Sequence, residues 1–261
     1  MDLTSEIADL AGPQLGRIGV YARNLTTGAV VDIAADRVLP TESAAKVFLL
    51  ITYCEQVSAG ICDPDRTVVL PPDFALAGTG VLRYLRPGIE LSLEDLAWLM
   101  VIVSDNVATA LLLLEIGGPD RVNETTARLG LDTARLRSFD EMAAGKGFGV
   151  SSPRHLAEAY VHLDERAREK LARQQDVSGL SRGVDHTPFS ADFDTPLPVR
   201  VFNKTGTGIG TFVDAGLFET TDSRWVVAAM VTDQDGFTNS PDDPGPVLVG
   251  RIALHLHRAW A

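Results

Sequence analysis

Segments with the alternating apolar and polar pattern of β-strands lie at both ends of the chain, and the long stretch between them has the pattern of helices. Near the start these segments run from Arg17 to Leu25 and from Ala29 to Ile33. Near the end they run from Val199 to Asn203, from Thr211 to Glu219 and from Trp225 to Thr232. The chain is therefore predicted to fold as one α/β unit that is interrupted by a helical insertion.

This pattern divides the chain into two interleaved parts. Residues 1–60 together with 197–261 are predicted to form an α/β subdomain, and residues 61–196 an all-helical subdomain. The length of 261 residues is sufficient for a substantial core without disulfide or metal support. A functional site is expected in the cleft between the two parts, because binding sites often lie at such boundaries.

The charge of the chain excludes two classes of partner. There are 23 Lys and Arg residues against 35 Asp and Glu, which makes the net charge −12. Such a surface repels phosphate backbones and anionic headgroups, so neither nucleic acid nor a membrane is expected as a partner. No apolar run approaches the roughly 18–20 residues of a membrane span. The remaining expectation is a small-molecule partner.

The first residues lack the pattern of an export signal. Met1 to Glu6 contains neither a basic segment nor an apolar run. The chain as written is therefore expected in the cytoplasm. A secreted or periplasmic location would require that an export segment had been removed from it.

Three short motifs carry reactive side chains, in the order Ser43-Ala44-Ala45-Lys46, Ser104-Asp105-Asn106 and Lys204-Thr205-Gly206. The chain has only four lysines, and two of them belong to these motifs. Taken singly, each motif has an ordinary interpretation as part of a helix surface, a helix cap or a strand end. Chance yields all three in a chain of this composition on the order of once in ten thousand. The set therefore indicates a functional site.

The context of each motif suits acyl transfer to a serine. Ser43 opens a predicted helix, and Lys46 lies one turn further along the same face. A nearby amine lowers the effective pKa of the hydroxyl or, when neutral, accepts its proton. Ser104 lies between two apolar helices, where a polar triplet is otherwise costly. Gly206 follows a strand and lets a substrate approach the backbone closely.

In this order the motifs resemble those of the serine β-lactamase and penicillin-binding-protein superfamily, and most closely those of class A. The likeness covers nearly the whole chain. GTGVL from Gly78, followed by LSLEDLAWLMVIVSDNVATALLLLEIGG, resembles the region around the second motif, and VFNKTGTGIGTFVDAGLF resembles the hairpin that carries the third. The resemblance implies a transpeptidase-like fold with an antiparallel sheet, flanking helices and an all-helical subdomain.

The resemblance also implies a role for each motif residue. Ser43 would form the acyl-enzyme, Lys46 would accept its proton, and Ser104 would relay a proton to the leaving nitrogen. The backbone N–H groups of Ser43 and Thr207 would form the oxyanion hole. The residues implied to bind the substrate are Asn106, Lys204, Thr205, Gly206 and Thr207. No cofactor and no metal are implied.

The match is weakest in the Ω-loop, which in class A enzymes carries the glutamate and asparagine that position the deacylating water. Laid along RLGLDTARLRSFDEMAAG, Asp140 takes the place of the glutamate and Ala144 that of the asparagine. Glu141 lies one residue away from the first of these positions. Asp140 and Glu141 are therefore both candidates for activating the water, and the choice between them stays open at this point.

The predicted function is that of a class A-like β-lactamase that acts, as a monomer, on a small-molecule β-lactam or a related amide or ester. The alternatives are a D-alanyl carboxypeptidase, an esterase or a transacylase with slow or no β-lactam turnover, and a sensor that is acylated once and stops. A further motif, Gly179-Leu180-Ser181-Arg182-Gly183, matches the G-x-S-x-G nucleophile elbow. Its polar, irregular flanks lack the strand and helix that this motif requires.

Overall fold

The computed structural model describes residues 2–72, 76–182, 184, 186, 197–234 and 240–261. Its α-helices are α1 (Leu3–Ala11), α2 (Lys46–Ser58), α3 (Leu93–Ile102), α4 (Asn106–Glu115), α5 (Gly118–Arg128), α6 (Phe139–Ala143), α7 (Pro153–Glu158), α8 (Glu165–Leu171) and α9 (Pro244–Trp260). Its 3₁₀ helices are η1 (Gly12–Arg17), η2 (Glu42–Ala45), η3 (Leu82–Tyr84) and η4 (Ala159–His162). Within the described ranges, no helix is both long enough and apolar enough to cross a membrane.

The strands form one large sheet and two small ones. They are β1 (Ile18–Asn24), β2 (Val30–Ile33), β3 (Leu39–Pro40), β4 (Thr67–Val69), β5 (Glu90–Ser92), β6 (Arg135–Leu136), β7 (Gly149–Ser151), β8 (Arg200–Gly208), β9 (Thr211–Glu219) and β10 (Arg224–Val231). The large sheet has the order β2-β1-β10-β9-β8. Each pair of neighbours in it is antiparallel.

The large sheet joins the two ends of the chain, as the strand pattern predicts. β1 pairs with β10 along its whole length, from Ile18 opposite Val231 to Asn24 opposite Trp225. Because the first strands can complete the sheet only with strands from the far end, the intervening residues must form a long excursion from it. The predicted α/β fold with an antiparallel sheet and flanking helices is confirmed.

Both faces of the sheet are buried at its centre, and strand β10 shows how the two sets of side chains of a central strand are used. One set packs into an apolar cluster with α1 and α9 and consists of Trp225, Val227, Ala229 and Val231. The alternate set packs into a second cluster with α2, α3 and α4 and consists of Val226, Ala228 and Met230. Successive side chains of a strand point to opposite faces, so a strand covered on both sides must be apolar throughout.

The prediction that residues 61–196 are entirely helical is wrong in detail, because strands β4, β5, β6 and β7 lie within them. These strands are two or three residues long, which is too short for an alternating pattern to show in the sequence. β7 also pairs with β3, which belongs to the first part of the chain. The division into two subdomains itself stays a prediction, and residues 187–196 at its boundary lie outside the described part.

Candidate active site

The proposed nucleophile Ser43 lies in the 3₁₀ turn η2, and α2 begins directly after it at Lys46. Residues three apart eclipse each other in a 3₁₀ turn, so these two side chains face the same side. Edge strand β8 passes over the turn: a Cβ added at Gly206 would lie 2.3 Å from Thr41 O, 2.6 Å from Ala44 N and 3.0 Å from Ser43 N. A side chain at Gly206 would therefore force the strand and the turn apart.

Lys46 connects the first motif to the second. Its side chain is buried, and its Nζ donates to Ser104 O at 2.8 Å, to Ser104 Oγ at 3.0 Å and to Asn106 Oδ1 at 2.9 Å. Burial, together with the charge of Lys204, holds the pKa of Lys46 well below that of an ordinary lysine, against the opposing effect of Asp105. An amine with a depressed pKa can accept a proton near neutral pH.

Ser104 has a backbone conformation that is unusual for a residue with a side chain. Its φ is 54°, in the left-handed region, at the short link between α3 and α4. Such a conformation costs on the order of 1–3 kcal/mol and persists only where the surrounding structure enforces it. Thr79 contributes to that enforcement, because its Oγ1 donates to Ser104 O at 2.7 Å. The result is a hydroxyl held beside the Lys46 amine.

Asp105, the middle residue of the second motif, connects the loop at Val81 and Leu82 to the start of α4. Its fully buried carboxylate accepts from Val81 N at 2.6 Å, from Leu82 N at 2.8 Å and, as the N-cap of α4, from Ala108 N at 2.9 Å. The loop passes so close that a Cβ added at Gly80 would lie 2.3 Å from the Asp105 carboxyl carbon. The sequence motif thus combines two residues of the cleft with one that fixes their backbone.

Replacing Asp105 with alanine is expected to lower the free energy of unfolding by about 3 kcal/mol. The change leaves three N–H groups, two of them buried, without an acceptor and removes the cap of α4. Urea unfolding followed by circular dichroism measures this loss. Asp105→Asn is the matched control, since it keeps the size of the side chain and is expected to lose less. A loss below about 1 kcal/mol for the alanine variant would contradict this assignment.

Of the third motif, only Thr205 lines the cleft. Lys204 is fully buried, and its Nζ donates to Thr205 O at 2.9 Å. Burial lowers the pKa of Lys204 to about 8, although the carboxylates of Asp176 and Asp214 oppose the change. Burial also raises the pKa of Asp214 to about 7. Lys204 therefore supplies positive charge from behind the strand.

The three motifs meet at one cleft with a volume of about 960 Å³. The predicted residues that line it are Ser43, Lys46, Ser104, Asn106, Thr205 and Thr207. Two predicted binding residues of β8, Lys204 and Gly206, lie behind this surface. Asn106 contributes from the start of α4, where its Nδ2 donates to Ala77 O at 2.8 Å. The fold therefore brings together predicted site residues that are distant along the chain.

The two carboxylates predicted for deacylation do not line this cleft. Three residues of helix α6 do line it, Phe139, Met142 and Ala143, and their spacing places them on one helix face. Asp140 is exposed on another face of the helix. Glu141 caps the helix through Ser138 and forms an ion pair of 2.8 Å with Arg135. Their role in activating water stays a prediction.

Two acidic residues in the cleft wall were missed by the analysis of the sequence, Glu42 and Asp176. Glu42 directly precedes the proposed nucleophile, and its φ of 46° is in the left-handed region. Asp176 accepts from Ser178 N at 3.1 Å and from Ser178 Oγ at 2.6 Å. The position of Glu42 directly before Ser43 was the only sequence signal for it, and Asp176 carried none.

The alternative nucleophile Ser181 is buried away from the described cleft wall. Its exposed fraction is 4%, and its Oγ lies 3.3 Å from Asn203 Oδ1. Gly183, which completes the G-x-S-x-G pattern, lies outside the described residues. No strand ends at Leu180 and no helix begins at Arg182 in the part of the chain that the structure describes. The requirements of a nucleophile elbow are therefore not met.

Comparison with known proteins extends these findings. Residues 2–260 match the model of a family described as the beta-lactamase enzyme family. The chain belongs to this family. A carbapenem-hydrolysing β-lactamase, KPC of Klebsiella oxytoca, is 31% identical over 252 residues, which cover 92% of this chain and 83% of the relative. The assignment made from the three motifs is confirmed.

Two solved structures have the same fold as this chain. The β-lactamase of Sphaerobacter thermophilus DSM 20745 superposes with a TM-score of 0.84 at 25% identity, covering 99% of this chain and 98% of that one. A variant of PBP-A in an acyl-enzyme complex with penicillin G has a TM-score of 0.82 at 25% identity, covering 98% of this chain and 95% of that one. The chain is thus a class A-related serine hydrolase of the β-lactamase and penicillin-binding-protein superfamily.

Proposed function

We propose that this β-lactamase-family enzyme hydrolyses the β-lactam amide bond through an ester formed on Ser43. The observation that carries the proposal is the buried amine of Lys46, which shares a cleft wall with Ser43 and is hydrogen-bonded to Ser104 and Asn106. A relative whose name describes β-lactam hydrolysis and a structural neighbour acylated by penicillin G support the same chemistry.

Acylation is assigned to Ser43, Lys46 and Ser104, which act in succession. Lys46 accepts the proton of Ser43 Oγ as this oxygen attacks the β-lactam carbonyl carbon. The carbon–nitrogen bond then breaks, and Ser104 gives its proton to the leaving nitrogen. Ser104 recovers a proton from Lys46, whose Nζ lies 3.0 Å from its Oγ. The N–H groups of Ser43 and Thr207 receive the developing oxyanion, where one donor is typically worth about 3–4 kcal/mol.

Substrate binding is assigned to Asn106 and to the residues of β8. Thr205, with the charge of Lys204 behind it, binds the carboxylate of the substrate, and Asn106 holds the amide of its side chain. Gly206 lets β8 lie against the turn that carries Ser43, and Thr207 supplies the backbone donor. All of these groups come from one chain, so the proposed site is complete within a single copy of the protein.

Stopped-flow mixing with the chromogenic cephalosporin nitrocefin, followed by intact-mass spectrometry of the same mixture, tests this function. We expect steady hydrolysis with a transient mass adduct on Ser43. A single stoichiometric burst with a stable adduct would instead assign the protein to penicillin-binding relatives or to sensors. The absence of both hydrolysis and an adduct would contradict the choice of a β-lactam as substrate.

A further inference from the structure

Glu42 is the residue directly before the proposed nucleophile, and its side chain forms part of the cleft wall. Its carboxylate lies against glycines of two different elements. A Cβ added at Gly208 of β8 would lie 2.9 Å from Glu42 Oε1, and one added at Gly147 would lie 3.6 Å from the same oxygen. The carboxylate therefore lies between the edge strand and the loop that follows α6, on the side of the cleft where the resemblance places the deacylating water.

The Glu42 carboxylate has no hydrogen-bond donor or ion-pair partner among the residues that the structure describes. Burial raises its pKa above that of an ordinary glutamate, and only the more distant charge of Arg137 opposes the change. A partly buried carboxylate without a partner is costly, and so is the left-handed backbone of this residue. Such features concentrate where a group acts on a ligand or on water.

The other carboxylates near the cleft either have hydrogen-bond or ion-pair partners or lie outside the cleft wall. Asp140 is exposed outside the wall, and Glu141 is held by Ser138 and Arg135. Asp176 accepts two hydrogen bonds from Ser178. Glu42 is thus the carboxylate best placed, among the described residues, to bind a water molecule beside Ser43.

We propose that Glu42 is the general base for deacylation, an inference that rests on the function proposed above. Its carboxylate takes a proton from water as the water oxygen bonds to the carbonyl carbon of the Ser43 ester. The tetrahedral intermediate then breaks the bond between this carbon and Ser43 Oγ. The proton passes to Ser43 Oγ, directly or through Lys46, and the product leaves as a carboxylic acid. Water and the acyl-enzyme are the only reactants.

The test compares acylation and deacylation rates in the wild type and in Glu42→Gln, with nitrocefin as the probe. Single-turnover stopped flow gives the acylation rate, because nitrocefin changes colour when its β-lactam ring opens. Loss of the mass adduct with time gives the deacylation rate, and intact-mass spectrometry also gives the fraction of enzyme acylated at steady state. Glu90→Gln, on an exposed residue of β5, is the matched control for loss of one carboxylate. Gly208→Ala is a second variant, because its new Cβ displaces the Glu42 carboxylate while leaving its chemistry intact.

We expect Glu42→Gln to slow deacylation about 100-fold or more, with acylation changed much less, so that the acyl-enzyme accumulates. Gly208→Ala should slow deacylation in the same direction, and the double variant should be no slower than Glu42→Gln alone. The base must be unprotonated, so wild-type deacylation should fall as the pH falls through the pKa of Glu42. That decline should be absent in Glu42→Gln. The variant keeps the other titratable groups near the site, so any pH dependence that they cause should remain. These groups are Lys46, Asp176, Lys204 and Arg137.

Two results would overturn the inference while the wild type still hydrolyses nitrocefin. One is equal deacylation in the wild type and Glu42→Gln. The other is accumulation of the acyl-enzyme in Asp140→Asn but not in Glu42→Gln, which would place the base on α6. A wild type that forms no adduct, or one that is acylated and never turns over, would instead contradict the proposed function, so the two failures are distinguishable.

Discussion

Replacing Ser43 with alanine is expected to abolish covalent labelling by β-lactams and to lower turnover by at least about 10⁴-fold. The hydroxyl is the atom that forms the ester, and the other hydroxyl beside Lys46, that of Ser104, is assigned to relay a proton instead. The change removes one oxygen from a partly buried residue, so the fold should persist. Intact-mass spectrometry after incubation with penicillin G measures labelling, and nitrocefin hydrolysis measures turnover.

Ser181→Ala is the matched control for this experiment. Ser181 is the serine of the alternative motif, and it is buried with its Oγ near Asn203. We expect the Ser181→Ala protein to be labelled at full stoichiometry. Full labelling of Ser43→Ala, with loss of labelling in Ser181→Ala, would show that the nucleophile had been assigned to the wrong serine.

Replacing Lys46 with methionine is expected to slow acylation about 10³-fold, within the range that a positioned general base contributes. Methionine fills similar space and has no amine to accept the proton of Ser43. The wild-type rate should rise with pH as Lys46 loses its proton, at a pH well below that of an ordinary lysine because burial and Lys204 lower its pKa. The variant should lack this rise, because its side chain does not titrate.

Single-turnover acylation by nitrocefin, measured from about pH 5 to pH 10, tests the role of Lys46. Lys146→Met is the control, since it removes an exposed lysine that does not belong to the described cleft wall. The same pH dependence in Lys46→Met and in the wild type would contradict the assignment of Lys46 as the base. Thermal unfolding of each variant shows whether loss of the three Lys46 hydrogen bonds also lowers stability.

The sequence predicts the long helices of this protein better than its short strands and helices. The sequence predicts helices over 93–103, 106–116 and 245–259, and α3, α4 and α9 lie within a few residues of these bounds, because each is long and has a clear apolar pattern or cap. The region from Leu131 to Val150 has three glycines and the pattern of a loop, but it contains β6, α6 and the start of β7. These elements are five residues or shorter, and they depend on pairing with distant parts of the chain.

The sequence alone determined the family, the joining of the two chain ends in one sheet and the three motifs, because these depend on residue types and on local periodicity. Only the tertiary structure decided which side chains of those segments reach the cleft. On α6 a shift of one residue turns a side chain to another face, so Phe139 lines the cleft and Asp140 does not. Likewise, Lys46 is buried and Glu42 lies against β8 because distant segments pack around η2, and such packing leaves no local pattern in the sequence.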